Sequence, residues 1–259
     1  MFLGTREETK FVGEWSTRIV TWSLPRPTVE GWLAREGRRG AGWELEPQAL
    51  TPAGTHPVLF SCGTLHGAYL SGLGDSRSRL TYEEMVVMVP FVGLRGRSGA
   101  AAPRAYLPRL FLNATLPTVG GWLGWGLNKA RTRIDADEGA RSYEVRSWVR
   151  GTPLLSLRWD AEAARPAQPV SQVPSFQAMR DIHEQELLGT LGPLRLAAPW
   201  VKDWSRGTVA GVSAELRVSA PFLPGLEPGV RTCAPLGPDN PLGAYALRVP
   251  FALGMPRRA

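Results

Sequence analysis

The amino-acid sequence predicts an α+β fold built on a mostly antiparallel sheet, curved or closed into a β-barrel or cone, with a few flanking helices. Segments with strand-like patterns outnumber helical ones along the chain, as in antiparallel sheets and barrels. The 29 glycines and 23 prolines are scattered without a period, which favours many short elements joined by turns. A sheet-rich chain of 259 residues is commonly one domain. We therefore expect a single domain over residues 1–259.

The first strands lie in the N-terminal third. Residues 15–22 are rich in β-branched and aromatic side chains, which predicts a strand that ends at Pro25. Thr28 is suited to cap a short helix that closes at Gly37. An Arg/Gly-rich run to Gly42 is predicted to be a loop, and residues 58–69 form the next predicted strand.

The strongest strand signal is the apolar run at residues 80–94, LTYEEMVVMVPFVGL. Such a run indicates a strand that is buried on both faces or closes a barrel. Glu83 and Glu84 are adjacent in it. Because neighbouring strand residues point to opposite faces, only one of the two can face an interior cavity. Turn-like residues 71–78 precede this strand, a loop at residues 96–103 follows it, and residues 106–113 are the next predicted strand.

The C-terminal half contains one helix and several more strands in the prediction. Residues 115–134 begin with one helical turn before Gly120, after which glycines are expected to force turns. Residues 141–150 and 153–162 form an antiparallel pair around a Gly-Thr-Pro turn, and residues 161–174 a loop. Residues 175–192 have the amphipathic pattern of a helix. Strand-like alternation then returns at residues 193–200, 207–222 and 243–253.

The net charge of +7 and the pI near 10.0 raise the question of a polyanion partner. The arginines are dispersed, and the densest cluster, at residues 35–39, is interrupted by Glu36 and a glycine. Net charge alone bears on non-specific association and not on function. We therefore expect no nucleic-acid partner.

The sequence predicts a cytoplasmic protein without a membrane segment. Residues 1–10 carry charges where a secretory signal needs an apolar core. The longest apolar run, residues 85–94, is about half as long as a membrane span requires. Cys62 and Cys233 are far apart and lack a CxxC partner, so two reduced, buried thiols are expected.

Lysine is the residue type that draws attention to a site. The chain holds only three lysines among its 30 basic residues, and only lysine can lose its proton near neutral pH to act as a nucleophile. Lys10 and Lys202 sit among charged residues and are predicted to be at the surface. Lys129 follows a glycine- and tryptophan-rich segment. A surface position is the ordinary expectation for Lys129 too, but burial would lower its pKa and yield a neutral amine.

Common catalytic and metal-binding motifs are absent from the sequence. The glycines at 121, 124 and 126 lack the GK[ST] ending of a phosphate-binding loop, and neither GxSxG nor HExxH occurs. Three dispersed histidines make a histidine-based metal site improbable. The sequence thus predicts no metal and no cofactor.

Two segments resemble the acetoacetate decarboxylase superfamily. Tyr82, Glu84 and Pro90 match its Tyr-x-Glu pattern with a proline six residues later, and residues 111–130 are similar to its segment that ends in Pro-Lys-Lys. Residues 15–47 are similar to its N-terminal unit. The resemblance implies a barrel or cone-like sheet, a homo-oligomer, a Schiff-base lysine at Lys129 and an active-site glutamate at Glu84.

The same resemblance also indicates which residues bind the substrate. At several positions, however, this sequence differs from the family pattern. Tyr82, Trp125, Ser61 and Asn128 are the implied substrate-binding residues, with Ser61 at the place of a second glutamate and Asn128 at that of the proline. Ala130 stands where the family has a second lysine, and residues 121–123 read Gly-Trp-Leu in place of Gly-Arg-Glu.

The resemblance implies a lyase that forms a Schiff base through Lys129 with a small oxo acid. Decarboxylation and related C–C or C–O bond cleavage use the same imine. The alternative is a catalytically silent relative that binds an apolar or carbonyl small molecule in the barrel cavity. The ten tryptophans fit the alternative, although they are also common in ordinary cores.

Overall fold

The computed structural model describes residues 10–37, 42–71, 79–95, 102–160, 166–191 and 194–259. The greater part of the loops predicted before Gly42, at residues 71–78 and at residues 96–103 lies outside these ranges, as do residues 161–165.

The described residues form one large, curved, unclosed mixed sheet with few helices, which confirms the predicted fold class in its curved-sheet form. The strands are β1 (Lys10–Pro25), β2 (Trp43–Leu45), β3 (Thr55–Leu70), β4 (Leu80–Leu94), β5 (Arg104–Leu112), β6 (Lys129–Asp137), β7 (Ser142–Ser147), β8 (Pro153–Asp160), β9 (Gln168–Pro169), β10 (Glu186–Leu191), β11 (Leu194–Ala198), β12 (Trp200–Lys202), β13 (Thr208–Gly211), β14 (Ser213–Val218), β15 (Gly229–Cys233), β16 (Tyr245–Gly254) and β17 (Arg257–Arg258). The helices are α1 (Arg26–Gly37), α2 (Thr115–Trp125) and α3 (Gln177–His183), with 3-10 helices at Val170–Gln172, Pro174–Phe176 and Trp204–Arg206. No helix in these ranges is long and apolar enough to cross a membrane.

The central strands β1, β3 and β4 bury both faces, as the apolar sequence of β4 predicts. Met85 and Val87 pack in one hydrophobic cluster, and their neighbours Val86 and Met88 pack in a second cluster on the other side of the sheet. The alternation follows from the two-residue period of a strand. Cys62 and Cys233 are free and buried, as predicted.

Helix α1 begins at Arg26, so Thr28 lies inside it and does not cap it as predicted. Two further local predictions are wrong, and tertiary contacts explain both. The expected single turn before Gly120 is the 11-residue helix α2, which continues through three glycines. The expected helix at residues 175–192 stops at His183, and Glu186–Leu191 is strand β10. There the chain pairs antiparallel with β11 and parallel with β5. Strand pairing thus outweighs the weak local helix propensity. The predicted antiparallel pair after Gly139 is confirmed as β7 and β8.

Gly63 allows β1 and β3 to pack closely, which generates a first prediction. A Cβ at this position would lie 2.6 Å from Thr17 Cα and would overlap the Ser16 carbonyl oxygen. We expect Gly63→Ala to lower the free energy of unfolding by about 1 to 3 kcal/mol, because backbone atoms cannot yield as a flexible side chain can.

Gly31→Ala is the matched control. Gly31 lies inside α1, and an added Cβ would meet no atom within 4 Å. This variant should be as stable as the parent chain or more stable by about 0.5 to 1 kcal/mol, since alanine favours a helix. Urea denaturation of the three proteins compares the effects, and an unchanged midpoint for Gly63→Ala would contradict the prediction.

Candidate active site

The register of the sheet brings Lys129 and Glu84 to one side. Lys129 is the first residue of β6 and pairs with Leu110 of the parallel strand β5. Leu110 in turn pairs with Val86 of β4. Because residues two apart on a strand share a face, Glu84 points to the same side as Val86. The two charged side chains therefore face the same space from strands separated only by β5.

That space is a cavity of about 330 Å³ between this side of the sheet and helix α2. Its volume lies at the lower end of the range found for small-molecule sites. Both Glu84 and Lys129 line it, as do the rings of Phe11, Trp15, Trp200 and Phe251. Among the described lining residues, Glu84 is the only carboxylate and Lys129 the only ammonium group. The cavity is thus an apolar chamber with one acid and one amine.

The Glu84 carboxyl is desolvated. Its residue is 8% exposed, and burial raises the pKa of the carboxyl to about 7, against the opposing effects of Lys129 and of the Trp15 indole N–H. The neighbouring Glu83 points to the other face and accepts a hydrogen bond from Thr64 Oγ1 at 2.8 Å. Only Glu84 of the acidic pair therefore reaches the cavity, and it can hold a proton near neutral pH.

The Lys129 amine is desolvated by the helix above it. Its Nζ donates a hydrogen bond of 3.1 Å to the Pro117 carbonyl oxygen in α2. Burial lowers the pKa of the Lys129 amine to about 8, although the Glu84 charge raises it. The side chain keeps some exposure because it borders the cavity. With this pKa, roughly one amine in ten is neutral at pH 7.

Helix α2 lies in close contact with Lys129 at Gly121, which has no side chain. A Cβ on Gly121 would lie 2.6 Å from Lys129 Cδ and would overlap its terminal atoms. Helix α2 ends at Gly126, which has a left-handed backbone with φ of 64° and donates its N–H to the Trp122 carbonyl oxygen. The chain then reaches Lys129 within three residues. The glycines of this segment therefore bring the amine beneath the helix.

The substrate-binding candidates divide into two groups. Tyr82 and Trp125 line the cavity. Ser61 and Asn128 are not among its described lining residues: the Ser61 hydroxyl hydrogen-bonds to that of Thr17 at 2.6 Å, and the Asn128 amide donates to the Pro108 carbonyl oxygen at 2.8 Å. Both side chains are thus engaged in holding neighbouring strands together.

Lys202 is not the surface residue that the sequence suggested, because its side chain is buried. The residue is 5% exposed, and its Nζ donates to the carbonyl oxygens of Trp200 and His183. The amine also lies 3.3 Å from the centroid of the Trp200 ring. Burial lowers the pKa of this amine. The tryptophans on either side, Trp200 and Trp204, were the available sequence signal, since aromatic faces attract buried cations.

Trp15 is a cavity residue that sequence reasoning missed. It is 2% exposed, and its indole Nε1 has no hydrogen-bond partner of good geometry among the described residues. The indole N–H nevertheless favours the ionised form of Glu84, so the two groups are near each other. The only sequence signal for the inward direction of the Trp15 side chain was the alternation of apolar and polar residues along β1. Such alternation does not reveal which strand lies opposite.

Comparisons with known proteins identify the fold. No family model matches the sequence, and no curated protein sequence matches it significantly. Solved structures do match: the enduracididine biosynthesis enzyme MppR in complex with pyruvate has a TM-score of 0.59 at 15% identity, covering 99% of this chain and 91% of its own. Acetoacetate decarboxylase from Legionella pneumophila subsp. pneumophila str. Philadelphia 1 has a TM-score of 0.60 at 13% identity, covering 97% and 87%. The likeness shows the fold that the resemblance implied.

The lowered pKa of Lys129 gives a second prediction. Acetylation of Lys129 by acetic anhydride, a small uncharged reagent, should reach half of its maximal rate near pH 8, because only the neutral amine reacts. In Glu84→Gln the midpoint should move to lower pH, since the carboxylate charge that raises the amine pKa is gone. Mass spectrometry of the digested protein measures the label, and the peptide with the exposed Lys10 serves as an internal reference. A midpoint for Lys129 above pH 10 would contradict the prediction.

Proposed function

On the premise that the chain has the acetoacetate decarboxylase fold, we propose that it forms a Schiff base between Lys129 and the carbonyl carbon of a small molecule. One observation carries the proposal: an amine with a pKa of about 8 and a carboxyl with a pKa of about 7 face one cavity. Near neutral pH such a pair contains both a usable nucleophile and a usable proton donor.

Imine formation uses both groups. The lone pair of the neutral Lys129 Nζ attacks the carbonyl carbon, and the C=O π electrons move to oxygen. A proton from the amine and a proton from the Glu84 carboxyl convert that oxygen to water, which leaves. The products are a protonated imine on Lys129, a Glu84 carboxylate and one water molecule. The positive imine then withdraws electrons from a bond to the adjacent carbon.

Either of two reactions can follow from that imine. Loss of CO₂ from a 3-oxo acid and aldol-type formation or cleavage of a C–C bond both place electrons on the carbon next to the imine. The structural neighbours support each of them. One is named as an acetoacetate decarboxylase, and MppR has been solved with the condensation product of pyruvate and imidazole 4-carboxaldehyde. A small oxo acid is accordingly the first substrate class to test.

A second candidate function is binding of an apolar or carbonyl ligand without catalysis. It is favoured by one departure, Ala130 next to Lys129, where the family resemblance implies a second lysine. A neighbouring cation would lower the pKa of the amine further. In this chain, desolvation alone must activate Lys129.

Covalent trapping tests the proposal directly. Borohydride reduces a Schiff base to a stable secondary amine, so incubation with a panel of oxo acids, aldehydes and ketones should leave a mass increase on the peptide that contains Lys129. Lys129→Ala should show no adduct, and Lys10→Ala is the matched control that should behave as the parent chain. An adduct located elsewhere, or none with any compound, would refute the Schiff-base function.

The contact of Gly121 with Lys129 provides another prediction. Gly121→Ala should reduce the trapped fraction at least tenfold, because the new methyl group occupies the space of the Lys129 amine. Gly124→Ala adds the same methyl group to the same helix where no atom lies within 4 Å, and it should trap like the parent chain. Equal trapping by the two variants would show that the amine position is not critical. Thermal melts exclude loss of folding as the cause.

A further inference from the structure

We infer that the substrate is an uncharged, largely apolar aldehyde or ketone of about ten heavy atoms, an inference that rests on the proposed Schiff-base function. The inferred substrate class therefore differs from the short oxo acids that the structural neighbours suggest as a first test. Four properties of the cavity lead to it: the charge of its walls, their apolar character, the cavity volume and the kind of polar groups near Glu84.

The described walls offer no cation for a substrate carboxylate. Among the described residues, Lys129 is the only basic one in the lining, and it must be neutral to attack a carbonyl group. Arg79 is in the vicinity, but its guanidinium lies over the Tyr69 ring, 5.4 Å from the centroid, and it is not a lining residue. A carboxylate in this chamber would lose its hydration without gaining a cationic side chain as partner, and it would repel Glu84 whenever that carboxyl group is ionised.

The rest of the wall suits a hydrocarbon chain. Leucines from four different strands line the cavity: Leu65, Leu80, Leu107 and Leu253. Aromatic rings of Phe11, Trp200 and Phe251 complete this apolar surface. Each methylene buried against such a wall contributes favourably to binding. A short oxo acid would leave a large part of this surface without a contact.

The volume agrees with a longer molecule. If a heavy atom takes roughly the space of a liquid water molecule, a cavity of about 330 Å³ accommodates about eleven heavy atoms. An oxo acid of three or four carbons would fill roughly half of it or a little more.

Two uncharged hydrogen-bond donors lie near Glu84 in the cavity wall. The Trp15 indole N–H is buried and unpartnered within the described part of the chain, and it lies near Glu84. Tyr82 also lines the cavity close enough to Glu84 for the carboxylate charge to raise its pKa, in addition to burial. Uncharged donors suffice to bind a carbonyl oxygen or a hydroxyl group, but they supply no positive charge to neutralise a carboxylate.

A substrate without a carboxylate directs the chemistry to aldol-type steps. In the cleavage direction, the Glu84 carboxylate accepts the proton of a β-hydroxyl group, the O–H electrons form a new C=O bond, and the bond between the α and β carbons breaks. Its electrons move to the imine nitrogen and give an enamine. The α carbon then takes a proton from Glu84, and water hydrolyses the imine. The balance requires no oxidant and no reductant.

A matched series of compounds tests the substrate class. Trapping with borohydride is compared for methyl ketones of increasing chain length and for oxo acids of equal length, with pyruvate and acetoacetate included. The concentration for half-maximal trapping should fall about fourfold per methylene until the cavity is full, and each oxo acid should need at least ten times the concentration of its ketone. Preference for pyruvate or acetoacetate over every longer ketone overturns the inference and leaves the Schiff-base function intact. No adduct with any compound overturns both.

A charge added to the wall provides an independent test. Leu70 lines the cavity, is partly exposed, and lies apart from the Lys129 and Glu84 pair in the sheet. Leu70→Arg should improve trapping of the oxo acids at least tenfold relative to Leu70→Gln, because it supplies a partner for the carboxylate. The two variants should trap the short ketones alike. If Leu70→Arg leaves the oxo acids unchanged, lack of a cation does not set the specificity and the inference fails.

Discussion

Desolvation of one amine is the constraint on which the rest of this site depends. Lys129 starts a strand directly beneath a helix, and its Nζ has the Pro117 carbonyl oxygen as a hydrogen-bond partner. Water would hold the amine fully protonated, whereas burial lowers its pKa to about 8. The neighbouring residue is Ala130 and carries no charge, so the proposed activation of Lys129 depends on its burial beneath α2.

The partner acid is held by the sheet itself. The Tyr143 hydroxyl donates to the Glu84 backbone carbonyl oxygen at 2.8 Å and so ties β7 to the strand that carries the carboxyl group. Glu84 pairs with Gly63, whose missing side chain lets β1 approach from the other side. Side chains on rigid strands are positioned more precisely than side chains on loops. The Glu84 carboxyl group and the Lys129 amine are therefore presented by adjacent parts of one packed sheet.

Sequence reasoning succeeded where the signal is local. Strand β4 occupies residues 80–94 as predicted, and the alternation of Glu83 and Glu84 indicated that only one of them faces inward. Sequence reasoning failed where contacts between residues far apart in sequence determine the local structure. Helix α2 contains three interior glycines, which weaken a helix in isolation, and it forms because it packs on the sheet. Burial of Lys202 and the inward direction of Trp15 also depend on strands far away in sequence. The expectation of a small oxo acid as substrate and the expectation of a site without a metal both stay predictions.

The connection between β5 and β6 has a consequence for how a ligand enters. These strands are parallel neighbours, and α2 is the crossover that joins them. Only short segments link the helix to the strands on either side, so both ends of the cavity roof are fastened to the sheet. A flap hinged at one end can swing open, whereas a roof joined to paired strands at both ends is more constrained. We therefore expect ligand exchange to proceed through an opening between side chains at the cavity rim and not through a large movement of the backbone.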